Sequence, residues 1–150
     1  SLVIKSFKKD SWKILITAAL LITATDQTTN LFKNTVKRPR PTHQPGIMEN
    51  LHLVNDYHGG TYGFVSGHAA NTMGIAVFLS LLLKRKFRFM KWLPITWSLI
   101  VGFSRIYLGV HYPSNVLAGF VLGAILGYLF FWLTHRIPHF ISKPHLSEPT

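Results

Sequence analysis

The sequence has no cysteine, which removes disulfide scaffolds, thiolate zinc sites and cysteine nucleophiles at once. Carboxylates are nearly as scarce. The five acids are Asp10, Asp26, Glu49, Asp56 and Glu148, and none lies between Asp56 and Glu148. A paired-carboxylate hydrolase or a carboxylate metal cage has almost no material to work with. Charged residues make up 14% of the chain, against about 25% in an ordinary soluble domain. Disorder is excluded as well, because 48% of the residues are hydrophobic. A length of 150 residues suits a single domain.

What charge there is has one sign: 16 Lys plus Arg give a formal net +11. A basic chain suggests nucleic acid, but the placement of the charge argues otherwise. The basic residues sit in short segments between uncharged blocks at Ile14–Thr25, Tyr57–Leu83, Trp92–Ser104 and Val116–Thr134. A bilayer span needs about 20 apolar residues. The second and fourth blocks reach that length, whereas the first and third need polar ends extending into the interface. Trp12, Trp92 and Trp132 lie near block edges, as interfacial aromatics do. The expectation is an all-α integral membrane bundle with four transmembrane helices, in one membrane-embedded domain over residues 1–150.

Alternating the connecting segments between two sides gives a marked charge bias. One side receives Lys5, Lys8, Lys9, Lys13, Lys84, Arg85, Lys86, Arg88, Lys91, Arg136 and Lys143. The other receives Lys33, Lys37, Arg38, Arg40 and Arg105. The richer side is expected in the cytoplasm, so the five cations opposite need a different reason to be there. The stretch Asn34–Gly63 is the one long polar connection, broken by Pro39, Pro41, Pro45, Gly46, Gly59 and Gly60. Connections this long usually carry function. Gly119, Gly123 and Gly127 fall four apart and predict a smooth face for close helix packing. Residues 139–150 read as a flexible tail. Ser1 is not an initiator Met and no signal peptide precedes the basic arm, so a processed product or a fragment is expected.

Three polar clusters fall on the side with the unexplained cations. They are Lys33 through Pro41, then Ser66-Gly67-His68, then Ser104-Arg105 followed by His111-Tyr112-Pro113-Ser114-Asn115. Lys33, Arg40 and Arg105 would be costly to gather without an anion, and arginine's fork of donors matches phosphate oxygens. Ser66 and Gly67 at a helix start add backbone N–H groups and the positive end of the helix dipole. Two histidines can serve as nucleophile and as general acid and base without metal or carboxylate. Lys37 and Arg38 read as general attraction for an anionic head group. Asp26 and Asn30, on one face with Lys33, read as groups that orient it or cap packing. His43, His52 and His58 match no compact metal-ligand spacing, so no metal and no cofactor are expected.

Lys33 with Arg40-Pro41, Ser66-Gly67-His68, and Ser104-Arg105 with His111 closely resemble, in order and spacing, the three motifs of the type-2 phosphatidic acid phosphatase family. That family of lipid phosphatases shares its site with the vanadium haloperoxidases. The resemblance implies an all-helical, membrane-embedded, metal-independent phosphatase. It implies that His111 attacks phosphorus and becomes a phosphohistidine, and that His68 protonates the leaving oxygen and then activates water. Lys33, Arg40, Arg105, Ser66 and Gly67 would hold the phosphate.

Two positions depart from the family pattern. Val65 stands where proline is usual, which a helix start tolerates. Asn115 stands where the family usually has the Asp that orients the nucleophilic histidine. Asn115 is therefore expected to act on His111, with reduced activity, or to mark a relative that binds a phospholipid head group without turnover. Bacterial members of the family typically have six transmembrane helices, so an absent pair would precede Ser1. The functional expectation is hydrolysis of undecaprenyl diphosphate, phosphatidic acid, phosphatidylglycerol phosphate or a lipid A phosphate. The expected setting is the bacterial inner membrane, with the site facing the periplasm or cell exterior. The partners implied are the lipid substrate and the bilayer, with no nucleic acid.

Overall fold

The computed structural model describes residues 11–51, 53, 57–83 and 89–136. Four α-helices make up its frame: α1 (Ser11–Val36), α2 (Gly67–Leu82), α3 (Trp92–Tyr107) and α4 (Pro113–Arg136). The segment expected to be a flexible tail lies outside the described residues.

The helices alternate in direction. Along α2, the backbone at Ser66, Ala70 and Gly74 meets Gly119, Gly123 and Gly127 of α4 in the same order, so α2 and α4 run parallel. Asn71 meets Asp26 of α1, and Gly74 meets Leu21. Thr72 meets Ser98 of α3, and Ser80 meets Lys91 just before α3. Both α1 and α3 therefore run antiparallel to α2. It follows that the end of α1, the start of α2, the end of α3 and the start of α4 share one end of the bundle.

Packing follows small residues more than large ones. A Cβ at Gly119 would lie 2.6 Å from the Ser66 carbonyl oxygen, and one at Gly123 or Gly127 would collide with the carbonyl of Ala70 or Gly74. Only glycine permits that approach, as expected for helices that associate without a hydrophobic drive between them. On α1, Thr17, Leu21, Thr25 and Thr29 are buried at four-residue steps. The Thr17 and Thr25 hydroxyls donate to their own helix at Lys13 O and Leu21 O, both at 2.8 Å, so these small side chains bury without an unpaired donor. Lys33 is the next residue on the same face. On α3, Ser98 and Gly102 are buried, and the Phe120 ring occupies the space above Gly102.

The outer surface is apolar. Leu15, Leu93, Trp97, Phe103, Leu117 and Ile125 are all more than half exposed. A continuous apolar surface of this kind marks a face that leaves water, and the bilayer supplies the apolar medium. Helix lengths differ from the sequence blocks. Residues 57–66 form a loop, so the second block supplies a 16-residue helix and not a full span. The first block lies inside a 26-residue helix whose second half is polar. Among the described residues, Pro113–Arg136 alone is long and apolar enough to cross a membrane by length and composition. An apolar groove of about 790 Å³ remains between α1, α2 and α3, lined by Leu15, Leu79, Leu82 and Trp97 among others.

Candidate active site

Lys33 sits in the last turn of α1, half-buried, and its Nζ donates to Asn30 Oδ1 at 3.4 Å. The same Nζ lies against the first residue of α2, where a Cβ on Gly67 would come 3.6 Å away. Asp26 accepts from Asn71 Nδ2 at 2.7 Å and not from Lys33, although its charge acts on Lys33. Asn30 therefore orients Lys33 directly, and Asp26 does so only through its field.

The chain leaves α1 through Lys37, at φ 50°, and enters an extended run. Pro39 pairs with Tyr62 in an isolated bridge, Arg40 N donates to Thr61 O at 3.0 Å and Gly63 N donates to Arg38 O at 2.9 Å. Alternating prolines favour this extended conformation. It also places Arg38 and Arg40, two residues apart, on one side. The Arg40 side chain lies along Gly59 and Gly63, and its Nε donates to Tyr62 O at 3.3 Å. A Cβ on Gly59 would stand 2.5 Å from Arg40 Nη1, and one on Gly63 would stand 2.9 Å from its Cγ.

Ser66 is the N-cap of α2 and completely buried. Its backbone N–H donates to Asn115 O at 3.0 Å, while its hydroxyl has no hydrogen-bond partner among the described residues. The first helical bond back to Ser66 O comes from Ala70 N, at 3.0 Å. The amides of Gly67, His68 and Ala69 thus precede the ladder, where an anion can take them. His68, the second residue of α2, is exposed. Arg105 lies half-buried in the last turn of α3, with its Nε donating to Ser104 Oγ at 3.2 Å.

His111 follows the tight turn at Gly109, whose φ is +68°. It is 3% exposed, and its Nδ1 has no hydrogen-bond partner among the described residues. Burial first, and then the Arg40 charge, push the imidazole down to about 3. The Gly63 backbone opposes that shift, and Lys33 and His68 add to it. His111 is therefore neutral at ordinary pH, as a nitrogen nucleophile requires.

The expected site residues are thus brought together at one end of the bundle. Arg105, Arg40 and Lys33 all act on the charge of His68, and Arg40, Lys33 and His68 act on that of His111. Among the described residues, no carboxylate is paired with any of the three cations. Cations, an open helix start and two imidazoles around one spot are complementary to a tetrahedral oxyanion. The His43 and His58 rings have centroids 6.3 Å from each other, and His52 is outside the described residues.

One sequence reading needs correction. Arg38 is not a free surface cation. Its Nη1 donates to Ser114 Oγ at 2.9 Å and to Asn115 Oδ1 at 3.0 Å, and its guanidinium lies 4.4 Å from the Tyr112 ring centroid. Gly63 was also overlooked. A Cβ there would meet Arg40, Asn115 Nδ2 at 3.0 Å and His111 Nδ1 at 3.5 Å, so glycine lets three site residues converge. The Arg-Pro-Arg-Pro alternation was the available signal for Arg38, whereas Gly63 had none.

The family model of the PAP2 superfamily matches residues 12–138. Over 139 residues the chain is 36% identical to a lipid A 4'-phosphatase of Bacteroides thetaiotaomicron, covering 87% of this chain and 60% of that protein. It is 34% identical to a lipid A 4'-phosphatase of Porphyromonas gingivalis, covering 92% and 53%. It is 30% identical to phosphatidylglycerophosphatase B of Bacillus subtilis, covering 91% and 66%. The chain thus spans between about half and two thirds of these relatives' lengths. The crystal structure of a transmembrane PAP2-type phosphatidylglycerolphosphate phosphatase from Bacillus subtilis matches 93% of this chain and 71% of its own, with a TM-score of 0.67 and 23% identity. That likeness extends to the whole helical frame.

Proposed function

The chain belongs to the PAP2 superfamily, and from that premise we propose that it hydrolyses a lipid phosphate by way of a phosphohistidine, without a metal. The observation that carries this reading is the convergence of Lys33, Arg40 and Arg105 with the start of α2 beside His68 and His111.

Lys33, Arg40, Arg105 and the amides opening α2 would hold the nonbridging oxygens, with Ser66 lending its hydroxyl. His111 Nε2 attacks phosphorus, the P–O bond to the lipid breaks, and His68 gives its proton to the departing oxygen. In the second half, His68 takes a proton from water, the water oxygen attacks phosphorus and the P–N bond breaks. Inorganic phosphate leaves and both imidazoles return to their starting state. The fixed donors serve the charge that spreads over the equatorial oxygens in transfer, where preorganised electrostatics act most strongly.

The apolar outer surface supports a substrate that arrives within the membrane. The candidates are a lipid A phosphate, phosphatidylglycerol phosphate, undecaprenyl diphosphate and phosphatidic acid. The two lipid A 4'-phosphatases among the relatives put lipid A first in the panel. The charge bias supports a site on the outer face, towards the periplasm in a double-membraned cell.

Asn115 favours a second reading, a weakened relative that holds a phosphorylated head group. One experiment separates the two. Purified protein in detergent, with chelator present, is given the lipid panel. Phosphate release that vanadate blocks and His111→Ala abolishes supports the enzyme. Lipid phosphate binding without release, in both the native protein and Asn115→Asp, supports the second reading. Release that depends on added metal contradicts the mechanism.

A further inference from the structure

Asp26 is the only acid in the four α-helices. It is exposed on the outside of α1, about 10 Å along the helix from Lys33. A carboxylate in a membrane-embedded helix is expensive to keep and by default marks a function. It has room for about four hydrogen bonds. Among the described residues one reaches it, from Asn71 Nδ2 at 2.7 Å. A carboxylate only accepts, so the direction of that bond is fixed. Asn71 Oδ1 is left over, buried and without a partner among the described residues. An orphaned buried oxygen costs stability, and an apolar side chain at 71 would pack α2 on α1 without that loss. The pair therefore needs a reason other than packing.

What lies beside the pair is apolar. Asn71 and Thr72, three and four residues after His68, sit at the site end of a cavity of about 390 Å³. Ile22 lines the same cavity one turn before Asp26 on its own face, so the carboxylate stands at the rim. Leu79, Pro94 and Trp97 line both this cavity and the apolar groove of about 790 Å³, so the two are continuous. Beyond Thr72 the lining is wholly apolar. From Asn71 to Leu83 the channel follows α2 for about 18 Å. That is close to one leaflet of a hydrocarbon core about 30 Å thick, and too short for a helix that spans it. It suits a single acyl chain descending from the phosphate site.

We propose that Asp26, held by Asn71, selects lipid phosphates whose acyl chain is joined through an amide. The amide N–H donates to the second Asp26 oxygen while the chain lies between α1 and α3. An amide N–H stands where the polar part of a lipid meets its chain, as Asp26 stands where the site meets the groove. An ester-linked or polyprenyl chain offers no donor at that point and leaves the carboxylate unpaired, which is how a polar site rejects an analogue. Of the candidate substrates, a lipid A phosphate carries amide-linked chains, whereas phosphatidic acid, phosphatidylglycerol phosphate and undecaprenyl diphosphate do not. The inference rests on the proposed function in taking a lipid phosphate as the substrate.

The test uses three single-chain phosphomonoesters with the same brominated acyl group: an N-acyl-aminoethyl phosphate, its N-methyl derivative and the corresponding O-acyl ester. In detergent with chelator, the native protein should show kcat/KM about tenfold higher for the amide than for either analogue, the worth of one hydrogen bond to a charged group. Asp26→Leu should bring that ratio close to one. Asn71→Leu, which lets the carboxylate swing, should lower it. The charge of Asp26 also acts on Lys33 and His68, so its loss changes the rate on all three compounds, and the ratio removes that effect. A native ratio near one would overturn the proposal, as would an Asp26→Leu variant that keeps the native ratio. Should Asp26→Leu fail to fold, the native ratio and Asn71→Leu still decide. Bromine quenching of Trp97, isolated by difference from Trp97→Phe, reads the groove without turnover. Half-quenching should need about tenfold less amide than ester, and equal quenching by all three, or none by any, would overturn the proposal. Should no compound release phosphate, the functional reading fails, and the quenching still decides whether Asp26 selects the amide.

Discussion

The Ser66 backbone amide donates to the Asn115 carbonyl at 3.0 Å, joining the start of α2 to the start of α4. Two sequence motifs about fifty residues apart are thereby held in one register. The glycine stripe beneath makes the bond possible, because Gly119, Gly123 and Gly127 let the α4 backbone lie on the α2 carbonyls. The proposed phosphate cradle and the proposed nucleophile segment are in this way tied to each other through the backbone.

Gly123→Val tests that coupling. Its side chain would drive into the Ala70 backbone, which cannot swing aside as a flexible side chain would. The expected loss is about 1–3 kcal/mol of stability, read as a lowered Tm in detergent, together with loss of turnover. Val121→Leu, on the exposed side of the same helix, should leave both unchanged.

Gly63→Ala probes convergence at the other end. Its methyl group would crowd Arg40 Cγ, Asn115 Nδ2 and His111 Nδ1 together. A displacement of about 1 Å at the reacting groups costs roughly 10²-fold. Steady-state kinetics should show kcat/KM falling by about that factor, with Tm close to native.

Asn115→Asp should change both rate and pH dependence. In the native protein His111 is held down to about 3 by burial and by Arg40, so its protonation does not limit kcat/KM until the pH nears that value. A carboxylate beside the ring favours imidazolium. The variant's acid limb should therefore move to higher pH, towards the ordinary histidine range. Above that limb, kcat should rise by up to roughly 10⁴-fold, the size of the corresponding loss in the serine-protease triad. A pH–rate profile identical to the native one would remove Asn115 from the account.

The helical frame and the motif residues were legible in the sequence for physical reasons. Uncharged blocks between basic segments have one economical solution in a bilayer, and the four-residue steps of Thr17, Leu21, Thr25, Thr29 and Lys33 define one helix face. Helix limits were less legible. Tyr57–Ser66 is as uncharged as a span, yet Gly59 and Gly63 are used there to admit Arg40, and the helix begins only at Gly67. Arg38 was misread because its partners lie 76 and 77 residues away, beyond the reach of any local pattern. Helix spacing left Asp26 either orienting Lys33 or capping packing, and its hydrogen bond goes to Asn71 on a neighbouring helix.

The central claim is that three cations and a helix start hold a phosphoryl group against the His111 ring. Rapid quenching of the detergent-purified protein with a ³²P-labelled lipid phosphate tests it most directly. The account predicts one label per chain, stable to alkali and released by acid as a phosphohistidine is, present in native protein and absent in His111→Ala. Label persisting in His111→Ala, or phosphate release with no labelled protein at any time, would contradict it.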